Sequence, residues 1–549
     1  MSMTARLRQE IPEETARIAR AAFPKGNRYM KMRDTLGDLY SDSEFAELFP
    51  ERGRPAKSPG VLALTTIIQF AEGLSDRQAA EGVRGRIDIK YALGLKLTDP
   101  GFNHSVLSEF RERLIEKGLE NQLLDNLLQQ FKEKGLLKAG GQQRTDATHV
   151  LAAIRQVNRL ECVGETIRQV LNELATEAPE WLLEQISADW FGRYGVRFEM
   201  YRLPKKKADR EALQAQIGAD GFHLLTAIYA AEAPNWLSQL PAVEVMRQIW
   251  IQQYYVEAGQ VKWRPPEALP PHKLLIQSPY DSEARNRTKR QLNWTGYAAH
   301  VTETCDEDTP NLITHVETSP ATTGDVELTP VIHLALAQKE LLPGEHLVDT
   351  AYVKASHLLS SRTDYKIELI GPVPPDPSWQ AKAGAGFDIP CFAIDWPNQS
   401  VTCPAGQTSH AWRTRQDNHR NEVIEVTFAR SDCLSCPSRP QCTQGKVAPR
   451  LLRLRPQAEH EVLQRSRLQQ KTDAFKQLYK KRAGIEGTLS QATRSFDLRR
   501  SRYIGLAKTH LQHVAIAAAI NLTRVADWLF ECPSAKTRCS SFAALAPII

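Results

Sequence analysis

The hydrophobic pattern changes period several times along the chain, and each change marks a unit. Ile11–Ala22 has a short helical pattern, and a polar, basic stretch follows it, ending in Arg52-Gly53-Arg54-Pro55. Val61–Phe70 is an apolar run of helical length. Gly73-Leu74-Ser75-Asp76 then predicts a turn with Ser75 as helix N-cap, and Arg77–Val83 a second short helix. Ser105–Lys117, which carries Arg111 and Arg113, and Leu119–Phe131 predict two more. Residues 1–138 therefore read as a helical domain. Helix, glycine-containing turn, helix is the skeleton of a helix-turn-helix, although any helical bundle has such turns.

A break at Ala139–Thr145 precedes Asp146–Leu151, a predicted short strand within a segment 139–155. Leu160, Val163, Ile167, Val170, Leu171 and Leu174 then form one apolar stripe, and Ala208–Ala231 and Val243–Tyr255 continue in that style. These stripes mean helix packing, so 156–272 reads as a helical insertion. Pro265-Pro266 and Pro270-Pro271 close it. In 273–385, Leu274–Ile276, Gly296–Thr302 and Leu312–Glu317 predict strands and Val326–Lys339 a helix. Glu345–Asp349 predicts a buried strand, His357–Arg362 a helix, and Ile367–Ile370 a last strand. That order gives a mixed α/β sheet. Residues 386–450 predict a cysteine-rich β insertion, with a hairpin of Phe392–Trp396 and Ser400–Cys403 and a strand at Glu422–Ala429. The unit 451–531 is helical from about Ala458 to Phe530, broken near Leu498–Gly505, and 532–549 is a tail rich in Ser, Ala and Pro.

Composition narrows the class. The 549 residues are enough for several domains, and 42% hydrophobic content allows real cores. A net charge of +6 is compatible with a nucleic-acid partner, and the basic residues cluster at Lys205–Lys207, Arg285–Arg290 and Arg494–Arg502. No apolar run is long enough to span a bilayer, and the N-terminus lacks a signal-peptide core, so a cytoplasmic protein without a membrane partner is expected. Nine cysteines in such a chain do not make a disulfide scaffold.

Three constellations carry candidate chemistry. Tyr479, Arg482 and Glu486 are spaced i, i+3, i+7, which puts a phenol, a guanidinium and a carboxylate on one helical face, with Gly484 and Gly487 nearby. Asp146 and Asp349 each sit at a predicted strand and are followed by small or hydroxyl residues, and a carboxylate at the end of an apolar strand is costly to desolvate unless it finds a cation or a local hydrogen bond. If their strands are neighbours, the two converge, and Glu486 from a packed helix makes a nest of three carboxylates. Such a nest repels itself, so hard divalent cations suit it. Two ions about 3.5–4 Å apart would serve a phosphodiester. The second constellation is Cys433-x2-Cys436-x5-Cys442 with Cys403 upstream, a candidate closed structural zinc site, with Cys391 and His410 as spare ligands and free thiols as the alternative. The third is Arg494, Arg499, Arg500 and Arg502, interleaved with Phe496 and Tyr503. It reads as a DNA contact or as a solvated basic turn, and adjacency to Glu486 favours DNA. Arg285, Arg287, Lys289 and Arg290 form a weaker basic candidate, and His149 reads as a local structural residue.

Asp146, Asp349 and Glu486, with Tyr479 and Arg482, resemble the DDE triad and signature helix of bacterial insertion-sequence transposases. Ser278-Pro279-Tyr280-Asp281 with Ala284-Arg285, Trp294–Tyr297, Leu347–Tyr352 and Gly505–His513 resemble its cysteine-containing branch, and Arg52–Leu114 resembles that branch's N-terminal DNA-binding domain. The resemblance implies an α/β, ribonuclease-H-like core. There the first Asp lies on the first strand, the second follows the adjacent fourth strand, and the Glu comes from a later helix. It implies that Asp146, Asp349 and Glu486 are catalytic and hold two Mg²⁺ (or Mn²⁺) ions. It implies that Tyr479, Arg482, Arg494, Arg499, Arg500 and Arg502 contact DNA, and that Cys403, Cys433, Cys436 and Cys442 hold structural Zn²⁺. The partners implied are double-stranded DNA, as terminal inverted repeats and target, and a second copy of the chain on DNA, in the nucleoid. The lysine that often follows the signature Glu by seven residues is Thr493 here, with Arg494 next to it. The rival readings are a metal-dependent nuclease on the same core and a non-catalytic DNA-binding protein or inactive relic.

Overall fold

The structure is a computed structural model and describes residues 10–50, 56–384, 386–418, 420–531 and 545. The basic Arg52–Pro55 stretch and nearly all of the 532–549 tail lie outside the described residues.

A mixed sheet organises the molecule. Its five core strands are Gln142–Leu151, Leu292–Thr304, Ile313–Pro320, Glu345–Leu347 and Glu368–Ile370. In space they run third, second, first, fourth, fifth. The first pairs antiparallel with the second and parallel with the fourth. The arrangement is ribonuclease-H-like, as expected. Burial explains the order. The second strand is buried at every position from Trp294 to Thr304, as a strand covered on both faces must be. The expected strand at Leu274–Ile276 does not form. Instead Arg285–Lys289, which reads in sequence as a charge cluster, is an edge strand paired with the start of the second strand.

The helices Pro59–Glu72 and Asp76–Gly85 meet at Gly73, which takes a left-handed conformation (φ 68°) that favours glycine. Ser75 caps the second helix, its hydroxyl accepting from Gln78 N–H while Gln78 returns to Ser75 N–H. These N-terminal helices share one hydrophobic core with the sheet. The joint is the helix Leu506–Leu529, buried along most of its length, which packs against the third core strand and against Pro59–Glu72.

The insertion after the first strand has a core of its own, around Val163, Ile167, Trp190, Tyr194, Trp250 and Tyr254. Its last helix ends at Gln253, and Tyr254–Glu257 pairs with Gln260–Trp263 as a hairpin where helix was expected. Asp281, buried, ties the sheet to the C-terminal turn. Both its oxygens accept from Tyr297 Oη at 2.7 Å, and it also accepts from the N–H groups of Ala284 and Gly505. Tyr280 beside it bonds Arg168 and Glu165 of the insertion. The cysteine-rich unit folds as the hairpin Ala393–Asp395/Ser400–Thr402 beside a three-stranded sheet of Ala411–Gln416, Glu422–Thr427 and Leu451–Leu454.

Candidate active site

Register brings the two aspartates together. On the parallel pair, Gln142 faces Glu345 and Arg144 faces Leu347. The same offset carried two residues further puts Asp146 level with Asp349. Asp146 lies inside its strand rather than at its end. Asp349 lies just past the fourth strand, where its carboxylate caps the turn Thr350–Tyr352 by accepting from Ala351 N–H at 2.8 Å.

The Tyr479–Glu486 segment is not one continuous α-helix face. Tyr479 ends the helix Asp473–Lys480, Arg482 sits in the 3₁₀ turn Lys481–Ala483, and Glu486 is in the first turn of the helix Gly484–Phe496. The tightened turn still delivers Arg482 to the carboxylates. Its Nη2 lies 2.7 Å from Asp146 Oδ2, and its Nη1 3.6 Å from Glu486 Oε1. Arg482 Nε is buried without a partner. Glu486 is largely exposed. Tyr479 stacks on Phe475 and packs against Leu347 and Ile370, beneath the second aspartate.

Burial pushes the Asp146 carboxyl above its ordinary range. The Arg482 charge opposes the rise, and the negative charges of Asp349 and Asp325 add to it. Among the described residues, no three His, Cys, Asp or Glu side chains are close enough to share one metal ion. In the triad the Arg482 guanidinium pairs with both Asp146 and Glu486. The donors are all carboxylate oxygens, the chemistry that hard divalent cations take, and the Glu486 side chain is largely exposed.

Sequence reasoning missed the anchor behind this site. Glu303, fully buried on the second strand, accepts from Arg144 Nε, Thr488 Oγ1 and Arg524 Nη1, all within 2.7 Å. Arg144 also donates to the carbonyl of Lys481, holding the 3₁₀ turn. Gly484 makes room for it: a Cβ there would meet Arg144 Nη1 at 2.0 Å. An arginine two residues before the first aspartate was the only available signal.

The basic residues divide. Arg494 and Arg500 are exposed, and Arg499 is exposed while its Nε donates to Thr148 Oγ1. Arg502 turns the other way. It donates to the carbonyl of Leu74 and lies 5.0 Å from the Phe70 ring centre, clasping the N-terminal helices. Arg285 and Arg287 are occupied by backbone carbonyls, which leaves Lys289 and Arg290 exposed. His149 is half-buried against Trp294.

Two family models match the chain. One, described as a transposase DDE domain, covers residues 402–526, and the other, described as a transposase domain, covers 17–113. The two matches together support a DDE transposase of an insertion sequence. The DDE match takes in Glu486, Tyr479 and the cysteines but reaches neither Asp146 nor Asp349. The ion pair between Arg482 and Asp146 links the first of them to it. No curated protein matches the chain.

Cys403, Cys433, Cys436 and Cys442 line one small pocket with Phe428, Arg439 and Arg450. Burial raises the Cys442 thiol above its usual range, Arg450 opposes this, and the other three sulfurs add to it. The four therefore face one another, but no three of them form a closed metal shell. Cys391 is turned to Asp388 instead. No described helix is long and apolar enough to cross a membrane.

Proposed function

We propose that the chain binds the ends of a mobile DNA element, hydrolyses phosphodiester bonds there, and transfers the freed 3′-hydroxyls into target DNA. The observation that carries this reading is the parallel pairing that sets Asp146 level with Asp349, just past the end of the neighbouring strand, with Arg482 paired to both Asp146 and Glu486 from the helical side. Asp146, Asp349 and Glu486 would hold two divalent ions, Mg²⁺ or Mn²⁺. When bound, such ions activate an attacking oxygen and neutralise charge on the leaving oxygen.

The chain's own groups do the rest. Arg482, released from Asp146, would turn its buried, unpartnered Nε and its forked Nη pair toward a phosphate. Tyr479 fixes the floor beneath Asp349. Arg494, Arg499 and Arg500 would hold the backbone of the DNA flanking the cut. The N-terminal helices would bind the element's end, and a dimer would bring two ends together. A Zn²⁺ ion on Cys403, Cys433, Cys436 and Cys442 would brace the β insertion, drawing the four sulfurs in as thiolates.

The test pairs pre-cut element ends with a supercoiled target in Mg²⁺. Joined products are expected. Cutting of uncut ends without joining would reduce the reading to a nuclease, and binding without cutting would reduce it to a DNA-binding relic.

A further inference from the structure

The helix Asp325–Gln338 begins where the third core strand has ended, and its first residue is an acid. An acid in a first helical turn is ordinary, because it faces the positive end of the helix dipole. Asp325 differs from an ordinary one in three ways. It is nine-tenths buried. Among the described residues it has no hydrogen bond and no ion pair, whereas its neighbour Glu327 caps the helix by accepting from Gly324 N–H. And the helix lies against the turn Thr350–Tyr352, held there by Thr329 donating to the Tyr352 carbonyl at 2.9 Å. That turn is the one Asp349 caps. Asp325 therefore lies one helical turn before Thr329, at the end of the helix packed on the turn that Asp349 caps, and its charge acts on both Asp146 and the Tyr352 hydroxyl.

A buried carboxylate without a donor is expensive, and one beside two further carboxylates more so. Arg482 is the cation of this centre, and it reaches Asp146 and Glu486. Among the described residues no ion pair reaches the Asp325 carboxylate.

We propose that Asp325 is a fourth carboxylate of the active centre, a ligand for a divalent cation held together with Asp146. This rests on the two-ion reading above and extends it. The centre would then have acids from four places: a strand, the turn after its neighbour, the start of the helix Asp325–Gln338, and the first turn of the Glu486 helix.

The test uses the full-length protein and Mn²⁺ alone, without DNA. Bound Mn²⁺ is counted by electron paramagnetic resonance, and the Mn²⁺-dependent rise in melting temperature is followed in parallel. Asp325→Asn should melt higher than the parent without metal, because a buried repulsion is relieved. It should need at least about tenfold more Mn²⁺ for the same rise. Glu327→Gln keeps the cap and removes an acid from the same turn, so it should bind Mn²⁺ as the parent does. Asp325→Ser, also well suited to a helix start, replaces the Asn variant if that one misfolds. Parent-like Mn²⁺ binding by Asp325→Asn while Asp349→Asn loses it would overturn the proposal and leave the two-ion reading standing. Parent-like binding by both variants, or none by the parent, would overturn both.

Discussion

One sheet carries two buried acidic regions that handle charge in opposite ways. At Glu303 a fully buried carboxylate meets two arginines and a threonine, and its oxygens are satisfied. A few residues along the neighbouring strand, Asp146 has one arginine and two acidic neighbours that raise its carboxyl, and Asp325 has no partner among the described residues. In the first region two guanidiniums outweigh one carboxylate, every Glu303 oxygen is satisfied within the chain, and the network belongs to the fold. The second gathers several acids around one arginine, a balance that suits the proposed cation site. The two are wired together: Arg144, paired to Glu303, also holds the carbonyl at the turn that delivers Arg482.

The sharpest break of this comparison is to remove one charge from each region. Glu303→Gln leaves Arg144 and Arg524 buried against a neutral amide. Losing one partner of such a buried network destabilises by about 3–5 kcal/mol, so urea denaturation should show a large fall or no folded protein. Asp349→Asn should leave the melting temperature unchanged or raise it, since it relieves repulsion. Strand cleavage should fall on the order of a hundredfold or more, with end binding intact. A stable Glu303→Gln protein, or an Asp349→Asn protein that cleaves at the parent rate, would erase the distinction.

Much of this was legible in the sequence, and the gaps have physical causes. The core strands announce themselves through apolar runs such as Glu345–Asp349, and the first and second aspartates follow from them. Arg285–Lys289 did not, because an edge strand can carry arginines that bond to nearby carbonyls, and that looks like a charge cluster. The 3₁₀ turn at Lys481–Ala483 was hidden because helical spacing stays nearly in phase through one tightened turn. Arg502 was read as a DNA contact because charge alone does not say which way a side chain faces. Glu303 was invisible because its partners are some 160 to 220 residues away in sequence, and pairing at that range is set by the sheet.

The wire between the regions can be tested at Gly484. Alanine is the better helix former by about 1 kcal/mol, so an unhindered site would gain stability. Here the added methyl meets the Arg144 guanidinium at 2.0 Å. Overpacking of this kind costs about 1–3 kcal/mol, so Gly484→Ala should destabilise modestly. It should also lower cleavage, because displacing Arg144 loosens the turn that carries Arg482. A melting temperature above the parent's would mean that the two regions are independent.

The smallest expected effects come from the arginine turn, where neighbouring residues are expected to split between fold and DNA. Arg502→Ala removes a hydrogen bond to Leu74 and a cation–π contact with Phe70, and should lower stability by about 1 kcal/mol. The dependence of DNA affinity on salt should stay as in the parent, since that guanidinium is already engaged. Arg500→Ala should do the reverse. Its side chain is exposed, so stability should hold within about 0.5 kcal/mol. One lost phosphate contact should make the slope of log affinity against log salt shallower by about 1. If Arg502→Ala changed the salt slope and left the melting temperature alone, the clasp between the N-terminal helices and the C-terminal turn would not hold in solution. The N-terminal helices would then be free to move relative to the sheet. The shared hydrophobic core argues for the opposite result, because Leu506–Leu529 packs on the third strand and on Pro59–Glu72 at once.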